Sequence, residues 1–402
     1  MSNPQTDPRP FPRPVARGEM ARLFLSLGLT AFGGLAMVEP IRRQVVEKRG
    51  WVSQREFLDG LALCQVLPGA TVVQLAAYLG YRLGGAVGAL VAAAAFILPA
   101  GVLMLGLSFL YFHYGELSWI KLISRGLGAV VIALLLQALW NLGQAVREHY
   151  LDLLIALGAL LAFWLKINYL AVFLAAAAIR SALGPGMAPV RSPGLPARRP
   201  SSLGLMLLAQ LAAALCGTAL AVWALGHLDA LLSQIAWIFL KIGTVSFGGG
   251  YVMIPILQWE VVDRLGWLTT RQFLDGILLG YATPGPIIIL ATFVGFWVRG
   301  WPGGLVATVA VFLPPILAVI LATPIYQQVK ESRLIRPAIQ GILAALVGML
   351  ALVAGQMART ALTDWQSLAL MAGAAVALMR FKINLFYVIA AAAACSFFIF
   401  KI

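Results

Sequence analysis

Charge is scarce in this 402-residue chain. Only 11% of its residues are Asp, Glu, Lys or Arg, and 61% are hydrophobic. A soluble domain is about a quarter charged, so a soluble surface is excluded and the solvent must be lipid. Strand-like alternation is missing too, which excludes a membrane barrel and leaves a polytopic all-α bundle. Cysteine and histidine are rare, three each, and dispersed. Cys64, Cys216 and Cys395 read as small buried hydrophobes, and no disulfide framework, metal set or cofactor is expected. There is no GxxxxGK[ST] loop to bind a nucleotide. Acidic residues are fewest of all, 15 against 29 Lys and Arg. All of them fall at or near the ends of apolar runs, which argues against a cation pump with buried carboxylate ligands.

The net charge of +14 lies in short loops between apolar runs. This is the distribution of anchoring to anionic lipid, not of a nucleic-acid interface. The expected location is a bacterial-type cytoplasmic membrane, with many passes. Residues 1–19 read as a disordered basic arm without a signal-peptide core, and 181–202 as a Pro/Arg-rich linker followed by a linker helix at 203–230.

About thirteen apolar runs remain, among them 20–38, 57–83, 86–112, 231–254, 273–298 and 303–326. They form two copies of one pattern, 20–180 and 231–402. LGLTAFGG at Leu27 reappears as IGTVSFGG at Ile242. RGWVSQREFLDG at Arg49 reappears as LGWLTTRQFLDG at Leu265. LPG at Leu67 returns as TPG at Thr283, and Lys166-Ile167-Asn168 as Lys382-Ile383-Asn384. The offset stays at 215 or 216 throughout, which is the mark of an internal repeat. Repeats of this kind build a midplane site in many secondary transporters.

The FGG segments, the W-x₅-FLDG segments and the paired PG breaks resemble the chromate ion transporter family in its two-domain form. The resemblance covers nearly the whole chain after the arm. It implies secondary efflux of an inorganic oxyanion, chromate or its look-alike sulfate, and two halves of opposite orientation. Loop charge alone leaves two topologies open. Counting each run as one crossing inverts the second half, whereas a re-entrant first segment would make the halves parallel. A homodimer is compatible with either.

The candidate site follows from the helix breaks. Phe32-Gly33-Gly34, Phe247-Gly248-Gly249-Gly250, Pro68-Gly69 and Pro284-Gly285-Pro286 interrupt apolar helices, and Gln74 follows the first PG. Broken backbone in lipid is tolerated where it lines a cavity, and a restarting helix aims N–H groups there. The bland alternative is four kinks. Lys241 is an intramembrane lysine about two turns before the second FGG, and its counterpart is Ser26. It would complement a dianion, unless it only snorkels. Arg82, Lys166 and Lys382 read as anchors, and Gly80, Gly84 and Gly88 as a packing ladder. Glu39, Asp59 and Asp275 are the candidates for proton coupling, although the two aspartates also read as helix-start caps and Glu260 as interfacial. An anion channel on the same fold is the alternative transporter class. An intramembrane enzyme would need a nucleophile–base pair or metal set, and none is visible.

Overall fold

A computed structural model describes residues 15–30, 37–114, 118–183, 201–246, 250–325, 335–383 and 385–399. Most of the basic arm, most of the linker, and Phe32, Gly33, Gly34, Phe247, Gly248 and Gly249 lie outside the described residues. Among the described residues there are helices and no strand. The first repeat comprises α1 (Arg17–Leu29), α2 (Val38–Arg42), α3 (Gln54–Val66), α4 (Thr71–Tyr114), α5 (Ser118–Arg147), α6 (Tyr150–Trp164) and α7 (Tyr169–Leu183). The peripheral α8 (Ser201–Leu228) follows. The second repeat comprises α9 (Ala230–Val245), α10 (Gly250–Leu257), α11 (Thr270–Ala282), α12 (Leu290–Ala322), α13 (Ile335–Ala361), α14 (Trp365–Met379) and α15 (Leu385–Ile399).

Several of these helices are long and apolar enough to cross a membrane. The apparent 44-residue α4 is not one rod. Gly84 and Gly85 leave helical geometry, and the chain folds back there. A side chain at Gly80 would overlap the Gly88 carbonyl, although eight residues of straight helix would hold the two about 12 Å apart. The second repeat does the same at Arg299 and Gly300, with Gly295 against Gly303. Gly80 and Gly88 are thus packing residues, as their spacing predicts, but across a reversal and not along one face. We write α4a (71–83) and α4b (86–114) for the two arms, and α12a and α12b for theirs.

A second reversal sits at each PG. Gly60 of α3 faces the Tyr78 ring of α4a, and Gly276 of α11 faces Phe293 of α12a at 2.6 Å from an ideal Cβ. Residues equally far from the PG on either side touch, so α3–α4a and α11–α12a are antiparallel hairpins with the PG at the tip. Each leg of about 13 residues is about 20 Å long, short of the 30 Å hydrocarbon core. The runs 57–83 and 273–298 are therefore not crossings, as the sequence implied, but short hairpins that begin and end on one side. The hairpin bases are tied. Ser53 and Thr269 cap α3 and α11 in capping boxes with Glu56 and Gln272. Arg82 pairs with Glu56, so it holds a hairpin base together as well as lying at a run end. Asp59 and Asp275, expected as caps, lie six residues inside their helices. Caps need an extended residue just before the helix, and Ser53 and Thr269 fill that place.

The repeats interlock. α5 packs on α14 and α15, while its counterpart α13 packs on α6 and α7. Equivalent contacts recur. Gly126 meets Ser396, and Gly341 meets Arg180 at the matching places. One substitution is paired: the buried Asp152–Arg180 ion pair, at 2.5 Å, is Ser367 and Ser396 in the second repeat. Removing one partner alone would leave an uncompensated buried charge, so both differ together. α4b and α12b cross at the centre. Gly101 stands opposite Thr308 and Leu105 opposite Gly304, so these equivalent helices run antiparallel.

Other sequence readings change. Lys166 and Lys382 sit at positive φ, 61° and 52°. Ile167 N–H reaches Ala162 O and Ile383 N–H reaches Ala377 O, so each KIN closes a helix end, and Asn168 Oδ1 accepts from Leu170 N–H to start the next. Cys64 is buried, but Cys216 and Cys395 are exposed on the outer surface, where an apolar side chain meets lipid at no cost.

Gly80→Val should lower the melting temperature of the detergent-solubilised protein by several degrees, because its side chain would strike backbone. Gly106→Val, with open space around it, should leave melting unchanged. Fluorescence-detected size exclusion after heating measures both.

Candidate functional site

The PG tips have glycine because nothing else fits. Gly69 and Gly285 have φ of +137° and +128°, which side chains resist. A Cβ on Gly69 would overlap Pro315 of α12b, and one on Gly285 would stand 2.6 Å from Ala100 of α4b. Ala100 and Pro315 are themselves equivalent residues, so each tip nests against the central helix of the other repeat. Ala100 is the midpoint of α4b, which at about 44 Å exceeds the hydrocarbon thickness. The second hairpin lies along α4b from there outward. Gly280 meets Met104, Tyr111 donates to Asp275 at 2.6 Å, and Phe112 stacks near Phe293 and Trp297 at the base. The tips thus stand at half the height of the bundle.

The first tip also touches the other type of break. Gly69 N–H donates to the carbonyl of Ser246, the residue immediately before Phe247. A PG break of one repeat and the approach to the FGG break of the other are therefore in direct contact. Around this junction sit two fully buried polar side chains. Gln74, in the first turn of α4a, donates Nε2 to Pro68 O at 2.6 Å, which fixes its amide orientation. Among the described residues its Oε1 has no partner, and neither has the Ser246 hydroxyl. Buried polar atoms without partners are rare and mark places for water or a ligand. Pro68, Gly69 and Gln74 come together with Ser246, which the sequence reading missed. The signal was available, since Ser246 directly precedes the FGG. Pro284, Gly285 and Pro286 form the second tip, on Ala100. Gly250 opens α10, beyond the break.

Lys241 has a partner that the sequence did not announce. Its ammonium lies 3.0 Å from Glu260, whose side chain is 2% exposed. Arg264 Nε donates to the other carboxylate oxygen at 2.7 Å. Glu260 is thus buried, not interfacial. It was hidden because its run is a seven-residue π segment, Gln258–Arg264, against six residues, Arg43–Lys48, in the first repeat. A π segment is how a helix absorbs one added residue, and this one accounts for the step in offset from 215 at the FGG to 216 at the GW segment. The contact brings α9 against the segment that follows α10, where 19 residues of straight helix would separate the pair by about 28 Å.

The other acids divide. Asp275 is buried beneath Tyr111, and Asp152 lies buried against Arg180, so these two acids near run ends are buried. Asp59 is partly buried. Glu39 is exposed at 66% and bonded to Arg42 at 2.6 and 2.8 Å. Among the described residues no group of three or more His, Cys, Asp or Glu could hold a metal ion.

Two interlocked repeats, helical hairpins ending at mid-height and buried unpartnered polar atoms at their junction fit a polytopic membrane transporter. The comparisons identify which kind. The profile of the family described as Chromate transporter matches residues 18–181 and 233–397, and the chain belongs to that family. It is a multi-pass protein of the inner membrane. The chain is 32% identical to an uncharacterised transporter of Methanocaldococcus jannaschii, over 86% of this chain and 85% of the other. It is 31% identical to the chromate transport protein of Cupriavidus metallidurans, over 90% and 88%. The uncharacterised transporter YwrA of Bacillus subtilis is 33% identical over 37% of this chain but 85% of its own length, so a single repeat matches most of a separate protein. No solved structure matches.

Gly69→Ala and Gly285→Ala should each abolish transport while the protein still inserts, because the added methyl pushes the tip off Pro315 or Ala100. Gly50→Ala, also at positive φ but in open space, should retain transport. Uptake of labelled chromate by inverted vesicles, normalised to protein, checks all three.

Proposed function

We propose that the chain exports chromate across the inner membrane, holding the oxyanion where the two PG tips meet the FGG breaks. The observation that carries this reading is the junction of Gly69 with Ser246 at half-height, with Gln74 Oε1 and Ser246 Oγ buried beside it without partners. In this reading Phe32, Gly33, Gly34, Pro68, Gly69, Gln74, Phe247, Gly248, Gly249, Gly250, Pro284, Gly285 and Pro286 line the site. The N–H groups at the start of α4a and Lys241 supply the positive potential. The antiparallel crossing of α4b and α12b supports inverted repeats. Equivalent spanning helices that run antiparallel are related by an axis in the membrane plane, whereas an axis along the normal would leave them parallel.

The membrane potential is the proposed driving force. Moving one charge through 100 mV is worth about 2.3 kcal/mol, so expelling a dianion from a negative interior gains about 4.6 kcal/mol. At about 1.4 kcal/mol per decade this sustains a gradient on the order of a thousandfold. Proton exchange through Asp59, Asp275 or Glu39 is a lesser addition, with buried Asp275 better placed than exposed Glu39. Sulfate shares the tetrahedral dianionic form and is the expected competitor.

Clamping the potential to zero in inverted vesicles, with the proton gradient held, should remove most chromate transport. Undiminished transport that instead collapses with the proton gradient would establish obligatory antiport. Lys241→Ala should weaken chromate transport at least tenfold, and Lys401→Ala should not. Equal rates in the two variants would reduce Lys241 to an anchor.

A further inference from the structure

We infer that Glu260 is a built-in rival of the transported oxyanion for Lys241. The carboxylate holds the ammonium while the site is empty, and the entering anion takes it over. The inference rests on the proposed function above and deepens it, by naming the group that the substrate displaces.

Three observations carry it. First, the pair is unequal in its freedom. The Glu260 side chain is sealed at 2% exposure, while the Lys241 side chain is 22% exposed and ends a flexible four-carbon stem. The lysine is the partner that can move. Second, Glu260 does not depend on Lys241 alone. Arg264 Nε stays on its second oxygen at 2.7 Å. Withdrawal of Lys241 therefore leaves a carboxylate that is still paired, which avoids the large penalty of an orphaned buried charge. One carboxylate between two cations also leaves the cluster with a net positive charge, which draws an anion toward it. Third, the two residues belong together and to one repeat only. Ser26 stands where Lys241 has its counterpart, and Glu260 lies in the π segment that is one residue longer than its equivalent. They also straddle the Phe247–Gly250 break, one on α9 before it and the other beyond α10.

A rival and a simple strap predict opposite effects. If Glu260 competes with the substrate, Glu260→Gln removes the competitor. KM for chromate should fall about tenfold. Turnover should fall with it, because nothing then displaces the anion from Lys241. Lys241→Met should raise KM at least tenfold. The double variant Lys241→Met/Glu260→Gln should be no better than Lys241→Met. The exchanged pair Lys241→Glu/Glu260→Lys should fail to restore the wild-type KM, since the cation then occupies the sealed position and the carboxylate the mobile one. The measurement is initial-rate uptake of labelled chromate by inverted vesicles over a concentration series. Labelled chromate binding to the purified full chain in detergent supplies an affinity even where turnover is slow. The inference is overturned if Glu260→Gln leaves KM and binding unchanged or weakens both. It is also overturned if the double or exchanged variant recovers wild-type values, as a strap would. Wild-type vesicles that carry no chromate would instead overturn the proposed function, and this inference with it.

Discussion

A chain that turns back halfway through a bilayer must find partners for the backbone groups it frees, and lipid has none to offer. The architecture follows from this constraint. Each PG tip is hidden against the central helix of the opposite repeat, Gly69 on Pro315 and Gly285 on Ala100, and the first tip spends its amide on Ser246. Neither repeat can shelter its own tip in this way. Interlocking is therefore a requirement of the hairpins. The exchange of α5 and α13 between the halves extends the same dependence across the whole bundle.

The constraint that hides the tips also explains why a polar site can exist there. The polar groups near the junction are few, and those that lack partners, Gln74 Oε1 and the Ser246 hydroxyl, lie within it. Several buried polar groups elsewhere are matched. Asp152 has Arg180, Asp275 has Tyr111, and Thr292 has Thr308. The match between the halves is nevertheless imperfect where charge is concerned. Asp152 with Arg180 belongs to the first repeat alone, and Lys241 with Glu260 to the second alone. Backbone geometry is shared by the repeats because packing demands it. Ion pairs are not, because a pair can be exchanged for two neutral residues at little net cost as long as both partners go together.

How much of this was legible in the sequence depends on whether a feature is local. Membrane residence, helical class and the two repeats were readable, since composition and the spacing of FGG, FLDG and PG suffice. The breaks were also readable as breaks, because glycine and proline disturb a helix wherever they stand. Their direction was not. Runs 57–83 and 273–298 have the length and hydropathy of a crossing, and only the contacts of Gly60 with Tyr78 and Gly276 with Phe293 reveal hairpins. Glu260 was misread for a related reason. Its segment looks amphipathic and interfacial, and its burial depends on Lys241, 19 residues earlier, being folded back onto it.

The sequence by itself determined that the protein lives in lipid, that it is built twice, and that a PG break interrupts the helices of each repeat. Each of these rests on residue type and spacing along one chain. Tertiary structure alone decided which breaks are tips, what shelters them, and which charges meet. Those outcomes depend on contacts between residues as far apart as Gly69 and Pro315 or Tyr111 and Asp275. Apolar runs in lipid look alike whether they cross, turn back or face a neighbour, so nothing local in them records the choice. It is made when buried backbone and buried charge find their partners.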